Sequence, residues 1–146
     1  MRGEKIYEYE LDVTGVTDFG VEMGPALSGQ VTLPPQGVRI DVHFAGRASG
    51  RLAWRVHGID HARMRADGRI DLDIRAVIET DSGQRIALAA DGVTTPRASA
   101  PVADLFENVT LTTAAADYAW VNARQIWGVG TVDFAAGKIR IEGYLQ

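Results

Sequence analysis

A two-residue alternation of apolar and polar side chains recurs along this chain, and it constrains the fold more than any other feature. In KIYEYELDV, Tyr7, Tyr9 and Leu11 share one face of an extended segment, while the acidic residues between them share the other. The same alternation recurs in GVRIDVHFAG and, more briefly, in RLAWRVHG. Because successive side chains of a β-strand point to opposite faces, these segments predict strands with one buried face.

Short turns containing glycine separate several of the strand-like segments. They lie at Ala66–Gly68, Asp81–Gly83 and Ala135–Gly137, and each predicts a hairpin. Sequential antiparallel strands form a meander, and closing a meander removes its exposed edges. We therefore expect an all-β fold, a single up-and-down antiparallel barrel of about eight or more strands. It would form one domain over residues 1–146, with one short helix near residues 101–108, where Pro101 suits a first helical turn.

Composition excludes several classes of function. The 146 residues include 15 Lys and Arg against 19 Asp and Glu, a formal charge of −4, and no cysteine. Disulfides and thiolate chemistry are therefore excluded, and a mildly acidic chain is poorly suited to bind nucleic acid. No apolar run approaches the ~20 residues of a membrane span, and the first residues lack the apolar stretch of a signal peptide. We expect a cytoplasmic protein without membrane or nucleic-acid partners.

The segment from residue 71 to residue 80 leaves the nature of the barrel interior open. Its even positions include Leu72 and Ile74, and its odd positions include Asp73 and Arg75. In a filled barrel the even set forms the core. In a ligand-binding barrel Asp73 and Arg75 could line the lumen while the even set packs against an outer helix or a partner. The alternation alone does not decide between these arrangements.

The segment HGIDH concentrates two of the three histidines around a carboxylate, in the order His57, Asp60 and His61. Histidine transfers protons near neutral pH, and a carboxylate partner orients its ring and stabilises its charged form. A metal site built on His57 and His61 would need a helix, and Gly58 between extended segments argues against one. We expect no metal, and the alternative for this segment is a solvated loop at a strand end.

Near the C-terminus, DYAWVNARQIWGVG places Tyr118, Trp120 and Asn122 on one face of an expected strand. Two aromatic rings and an amide would form a wall suited to a flat small molecule. The alternative is that the rings simply belong to the core.

These late residues, taken with the segment DGRIDLDIRAVIETDSGQRIAL, point to a family. The chain resembles the bacterial family called domain of unknown function 3237. The resemblance implies a lipocalin-like antiparallel barrel that often self-associates and uses no nucleotide or metal. Some members are linked to cofactor-free decarboxylation of aromatic, lignin-derived acids. Because HGIDH stands where the family has Gly-Gly-x-Asp-Trp, the substrate is not carried over. The matching positions are Asp67, Gly68, Arg75, Thr80, Asp81, Gly83, Thr113, Tyr118, Ala119, Trp120, Asn122, Val129 and Gly130.

The expected function is that of a cofactor-independent lyase, similar to a decarboxylase, or an isomerase. Its substrate would be a small aromatic or conjugated acid in the lumen of a homo-oligomeric barrel. Arg75 would bind the substrate carboxylate, and Tyr118, or His61 with Asp60, would move the proton. The alternatives are a non-catalytic binding protein for a small hydrophobic ligand and a structural protein that associates through an apolar strand face. The remaining expected substrate-binding residues are Trp120, Asn122, Trp54, Tyr7, Tyr9, Asp73 and His57.

Overall fold

The computed structural model describes residues 3–146, and their strands close into an antiparallel barrel. Each strand pairs with the next one in the chain, and the last pairs with the first. The expected all-β, up-and-down barrel is confirmed. Its strands are β1 (Glu4–Asp18), β2 (Val38–Gly50), β3 (Trp54–Met64), β4 (Ile70–Glu79), β5 (Arg85–Pro96), β6 (Val102–Thr112), β7 (Ile126–Asp133) and β8 (Lys138–Leu145).

The three predicted turns join neighbouring strands, β3 to β4, β4 to β5 and β7 to β8. Each ends in a glycine with a positive φ angle: 90° at Gly68, 83° at Gly83 and 65° at Gly137. Glycine adopts these angles without the steric cost that a side chain would add. The hairpin predictions are confirmed at all three positions.

The apolar side chains of β4 face the barrel interior. Leu72, Ile74 and Ile78 are buried in the main core, while Asp73 and Arg75 lie on the outer face. This corrects the placement of Asp73 and Arg75 in the lumen. Burying the apolar side chains is favourable, whereas bringing a guanidinium inside would require a buried partner for its charge.

The predicted helix near residues 101–108 is wrong, because this segment begins β6. Its odd positions, including Ala103, Leu105 and Val109, are buried, and the even positions between them are not. Pro101 precedes the strand, where it removes no hydrogen bond from the ladder. The two-residue period therefore continues through this segment.

The predicted strand around Tyr118 and Trp120 is also wrong, because residues Ala116–Val121 form a 3₁₀ helix. Val121 is fully buried, and the rings of Tyr118 and Trp120 pack partly buried against the main core. A five-residue alternation of side chains is too short to distinguish a strand from a short helix, and here the apolar side chains of a helix cover one end of the barrel. This 3₁₀ helix, called the plug below, closes the end of the barrel at which β6 ends and β7 begins.

A second short helix, α1 (Met23–Ser28), lies between β1 and β2 and was not expected from the sequence. Its Met23 and Leu27 pack against a second buried cluster that includes Ile40 and Met64. That cluster lies at the start of β2 and the end of β3, opposite the 3₁₀ helix. The two ends of the barrel are therefore covered by different elements.

Candidate functional site

The HGIDH segment lies within β3, and the strand separates its chemical groups. Asp60 points into the lumen, whereas His57 and His61 lie on the outer face. The His61 ring contacts Asp41, with its Nδ1 3.0 Å from Asp41 Oδ1, rather than Asp60. Adjacent residues of a strand face opposite sides, so Asp60 and His61 do not form the expected pair.

Asp60 is a largely buried carboxyl in the wall of the lumen. Its Oδ1 accepts a hydrogen bond from the backbone N–H of Asp73 at 3.0 Å, which fixes the carboxyl against β4. Burial raises the pKa of Asp60 to about 6, and the bond from Asp73 N–H offsets part of that increase. Asp60 therefore changes its charge close to neutral pH.

A second acidic residue, Glu107 on β6, faces the same cavity, and sequence reasoning missed it. Its exposed fraction is 4%, and its Oε2 has no hydrogen-bond partner among residues 3–146. Burial, followed by the charge of Asp60, raises the pKa of Glu107 to about 8. The available signal was a carboxyl at an inward position of an alternating strand, which the expectation of a helix concealed.

Tyr7 and Tyr9 of β1 complete the polar groups of the interior. Their rings stack, with centroids 4.1 Å apart and planes inclined by 6°. Neither buried hydroxyl has a hydrogen-bond partner in the described part of the chain. Burial raises the pKa of both hydroxyls, and the charge of Glu107 contributes to the increase at each. The structure thus places these two expected wall residues inside the barrel.

Apolar side chains surround these polar groups. The lumen contains a cavity of about 120 Å³ whose lining includes Tyr9, Asp60 and Glu107. Its lining extends to Met23 of α1 and to Phe134 beyond β7, at the end opposite the 3₁₀ helix. A mostly apolar cavity with a few convergent polar groups is typical of a small-molecule site.

The other expected site residues are distributed over the exterior and the plug. The side chain of Arg75 is 63% exposed and binds Asp73, with Nη1 3.0 Å from Oδ1. His57 pairs with Glu79 on the outer face. Trp54 is also exposed, and the Arg47 guanidinium lies over its ring. None of these side chains lines the lumen cavity.

Asn122 follows the 3₁₀ helix and fixes it to the barrel. Its Oδ1 accepts a hydrogen bond from Thr113 N–H, and its Nδ2 donates one to Thr113 O, each at 2.8 Å. The Thr113 hydroxyl in turn donates to Arg85 O at 2.8 Å. Asn122 and Thr113 thus hold the plug, and neither they nor Tyr118 and Trp120 line the cavity. Of the expected residues, Asp60 and Tyr9 line the cavity, Tyr7 is buried against Tyr9, and the others lie outside the site.

Two further observations concern other classes of site. Within residues 3–146, no group of three or more His, Asp or Glu residues is arranged to hold a metal ion. Over the same residues, neither helix has the length and apolar character needed to cross a membrane.

Several solved protein structures share this barrel fold. No curated protein matches this chain. A protein of unknown function from Clostridium acetobutylicum is 18% identical, with a TM-score of 0.79 over 99% of both chains. A β-barrel-like protein from Acinetobacter baumannii is 19% identical, with a TM-score of 0.75 over 99% of this chain and 94% of that one. An enzyme from Penicillium herquei is 17% identical, with a TM-score of 0.65 over 99% and 94%. These similarities show the barrel fold.

The match to a protein family covers more of the chain than the motifs noted in its sequence. Residues 12–144 match the family described as protein of unknown function, DUF3237, so the match extends from β1 to β8. It includes both Asp60 and Glu107 but begins after Tyr7 and Tyr9. The chain belongs to this family.

Proposed function

We propose that this protein is a cofactor-independent acid–base enzyme, an isomerase or a lyase, that acts on a small conjugated molecule in the barrel lumen. One observation carries the proposal: Asp60 and Glu107 face the same apolar cavity with their pKa values raised to about 6 and about 8. Two carboxyls whose environments separate their pKa values can serve as a base and an acid at the same pH. At pH 7 Asp60 is mainly ionised and Glu107 mainly protonated.

The two carboxyls belong to strands separated by β4 and β5. Because both line the same cavity, a ligand bound there can contact both. Asp60 would remove a proton from a carbon next to a carbonyl group. The electron pair of the broken C–H bond then forms a C=C bond, and the carbonyl electrons move onto oxygen, which Glu107 stabilises by donating its proton or a hydrogen bond. Return of the proton from Asp60 to another carbon of the conjugated system, while Glu107 takes back any proton it donated to the oxygen, completes an isomerisation. Each acid–base contribution is typically worth ~10²–10⁴-fold in rate.

The charge of the lining argues for a substrate that enters uncharged. The cavity is bounded by two carboxyls and by no Lys, Arg or His among residues 3–146. Arg75, the expected carboxylate anchor, lies outside the barrel. A carboxylate in this cavity would lose its hydration without gaining a cationic partner. A conjugated acid, the substrate class expected from the sequence, would therefore have to bind in its protonated form.

The similarity to the enzyme from Penicillium herquei supports the proposal at the level of the fold. A barrel of this architecture is compatible with catalysis, and its chemistry is not transferred to this chain. The residues that carry the proposal here are those of this chain's own lumen.

Transfer of deuterium from solvent to substrate tests the proposal directly. We would incubate the protein in D₂O with a panel of small conjugated ketones, phenols and their acids, and follow incorporation at carbon by NMR. We expect incorporation with at least one uncharged member, and its loss in Asp60→Asn. Asp71→Asn removes an outer-face carboxyl that binds Arg69, so it should retain the activity. Incorporation that persists in Asp60→Asn would contradict the role of this carboxyl.

A second function, non-catalytic binding of a small hydrophobic molecule, is favoured by the predominantly apolar lining of the cavity. In that case the same panel would include ligands that bind and stabilise the protein, and none would gain deuterium. A ligand present at 100 times its Kd should stabilise the fold by about 2.7 kcal/mol.

Self-association and a cytoplasmic location stay predictions. Sedimentation velocity over a range of protein concentrations would test the first, and fractionation of the producing cells would test the second.

A further inference from the structure

A row of residues paired across four neighbouring strands runs around the barrel interior. Across β6, β7, β8 and β1, the register pairs Glu107 with Gly128, Gly128 with Gly143, and Gly143 with Tyr7. Residues paired in this way point to the same face of a sheet. Two large polar side chains in the lumen are therefore separated by two adjacent positions that have no side chain.

The two glycines make room for their neighbours. A Cβ atom on Gly143 would lie 2.1 Å from Tyr7 Cζ, so the phenol ring lies directly over Gly143. A Cβ atom on Gly128 would lie 3.2 Å from Glu107 Cβ and 3.5 Å from its Oε1, so the Glu107 side chain lies over Gly128. Tyr7 and Glu107 thus extend toward each other above the glycine pair. Tyr9 stacks on Tyr7, which adds a second hydroxyl to the same region.

Three polar atoms of this row have no hydrogen-bond partner in the described chain: Tyr7 Oη, Tyr9 Oη and Glu107 Oε2. Buried polar groups are almost always paired. The two phenol hydroxyls lie close enough to interact with each other. Tyr9 and Glu107 line the cavity, so their polar atoms can take a partner from outside the chain. Both phenols remain protonated at neutral pH, and burial favours the protonated form of Glu107 as well. Tyr9 and Glu107 therefore offer O–H donors to the cavity, and no cationic side chain lines it with them.

We propose that Tyr9 and Glu107 form a receptor for one acceptor oxygen, with Tyr7 stacked on Tyr9, and that the ligand of this barrel is a small, uncharged carbonyl compound with an apolar body. This inference deepens the proposed function and rests on it, since the bound oxygen is the atom on which negative charge develops when Asp60 removes a proton. Donors already directed at that atom stabilise the charge without reorganising. The apolar lining of the remaining cavity accommodates the body of the ligand.

Three probes of similar size test the inference: acetophenone, ethylbenzene, which lacks the oxygen, and benzylammonium, which carries a cation. Affinities would be measured by calorimetry, and the carbonyl stretch of bound acetophenone by infrared difference spectroscopy. We expect acetophenone to bind about tenfold more tightly than ethylbenzene, with its stretch at a lower frequency than in hexane. One hydrogen bond of about 1.4 kcal/mol corresponds to that ratio.

The variants Tyr7→Phe and Tyr9→Phe remove only hydroxyls that lack partners, so we expect both to fold. Tyr9→Phe should reduce the preference for acetophenone over ethylbenzene and move the carbonyl stretch back toward its value in hexane. Tyr7→Phe, outside the cavity lining, should have a smaller effect on both. Tyr144→Phe is the matched control, because the Tyr144 hydroxyl binds Glu142, away from the cavity lining. It should leave both measurements unchanged.

Each remaining outcome overturns the inference. Equal affinity for acetophenone and ethylbenzene would show an apolar cavity without an oxygen receptor. Tighter binding of benzylammonium would show a site for a cation, and no binding of any probe would show that the cavity is not a receptor of this size.

The inference and the proposed function can fail separately. Asp60→Asn should retain the preference for acetophenone while it loses deuterium incorporation. Incorporation by the wild-type protein without a preference for the ketone would overturn the receptor alone. The preference without incorporation by any member of the panel would overturn the proposed catalysis alone.

Discussion

Carboxyl groups on the inner and outer faces of the barrel have their pKa values shifted in opposite directions. Asp41 on the outer face binds Arg39 and His61, and the hydrogen bond from Arg39 contributes most to lowering its pKa to about 2. Asp60 lies opposite Val42, only one residue further along the pair of strands, but faces inward. Its burial without a cationic partner raises its pKa to about 6. The position of a carboxyl on the strand, rather than its neighbours in sequence, decides in which direction its pKa moves.

The largest effect expected from this difference is on catalysis. Asp60→Asn removes the inner base and should lower the catalysed rate by about 10²–10⁴-fold. His61→Ala changes the neighbouring residue, but on the outer face, and should leave the rate near that of the wild type. The rate of deuterium incorporation measures both variants. A larger loss in His61→Ala than in Asp60→Asn would reverse the assignment of the two faces.

The next effect is on stability as a function of pH. Because the pKa of Glu107 is raised from 4.5 to about 8 by folding, its contribution is complete below about pH 4.5 and is lost as the pH rises through 8. The 3.5-unit difference corresponds to about 4 to 5 kcal/mol of unfolding free energy between pH 4.5 and 9. Glu107→Gln should remove that part of the pH dependence, as measured by urea denaturation at several pH values.

The matched control for this prediction lies on the same strand. Asp104 faces outward and binds Arg97, which lowers its pKa. Asp104→Asn should therefore keep the wild-type decline in stability between pH 5 and 9. If the wild-type protein is equally stable at both pH values, Glu107 is not held in an unpaired, buried state.

A smaller effect is expected from filling the space over the glycine pair. In Gly143→Ala the new Cβ would overlap the Tyr7 ring, and displacing this ring should cost about 1–3 kcal/mol of unfolding free energy. Gly24→Ala adds a methyl group to α1 in open space, so it should not destabilise the protein. Thermal denaturation compares the two variants. Equal stability of Gly143→Ala and the wild type would show that Tyr7 does not lie over Gly143.

The pH–rate profile should reflect the same two carboxyls. The reaction requires ionised Asp60 and protonated Glu107, so kcat/KM should fall about tenfold per pH unit below pH 6 and above pH 8. Asp60→Glu, which keeps a base, should move the acidic limb, and the alkaline limb should remain in place. A profile that is flat from pH 5 to 9 contradicts this pair of roles.

The smallest effect is expected at Arg75, despite its prominence in the sequence. Its guanidinium and the Asp73 carboxylate are both mainly exposed, and ion pairs of this kind contribute little to stability. Arg75→Ala should change neither the denaturation midpoint nor deuterium incorporation measurably. A loss of activity in this variant would restore Arg75 to the site and bring the outer face into the mechanism.

Much of the fold followed from the two-residue period, since the strands containing Tyr7, Phe44 and Leu72 are amphipathic over many residues. Two short segments were misinterpreted for different reasons. Proline at residue 101 favoured a helix over the start of β6, and five alternating residues at Tyr118 were too few to distinguish a strand from a 3₁₀ plug. Patterns of this length are compatible with more than one secondary structure, and tertiary packing decides which one forms.

The site was less accessible to sequence analysis than the fold. Asp60 was identified, but adjacency in sequence paired it with His61, although neighbours on a strand point to opposite faces. Glu107 was hidden by the wrong secondary structure over its segment. Its proximity to Tyr7 depends on the register of β6, β7, β8 and β1, which brings together residues a hundred positions apart.

The plug and α1, which lie at opposite ends of the barrel, also determine from which end a ligand could reach the cavity. The plug is pinned by Asn122, and its own Val121 is fully buried, whereas the cavity lining reaches the α1 end. Met23 lines the cavity at this end, so a ligand entering there would leave by the same path. If the proposed catalysis takes place there, the product must leave before the next substrate can enter, so the product should act as a competitive inhibitor.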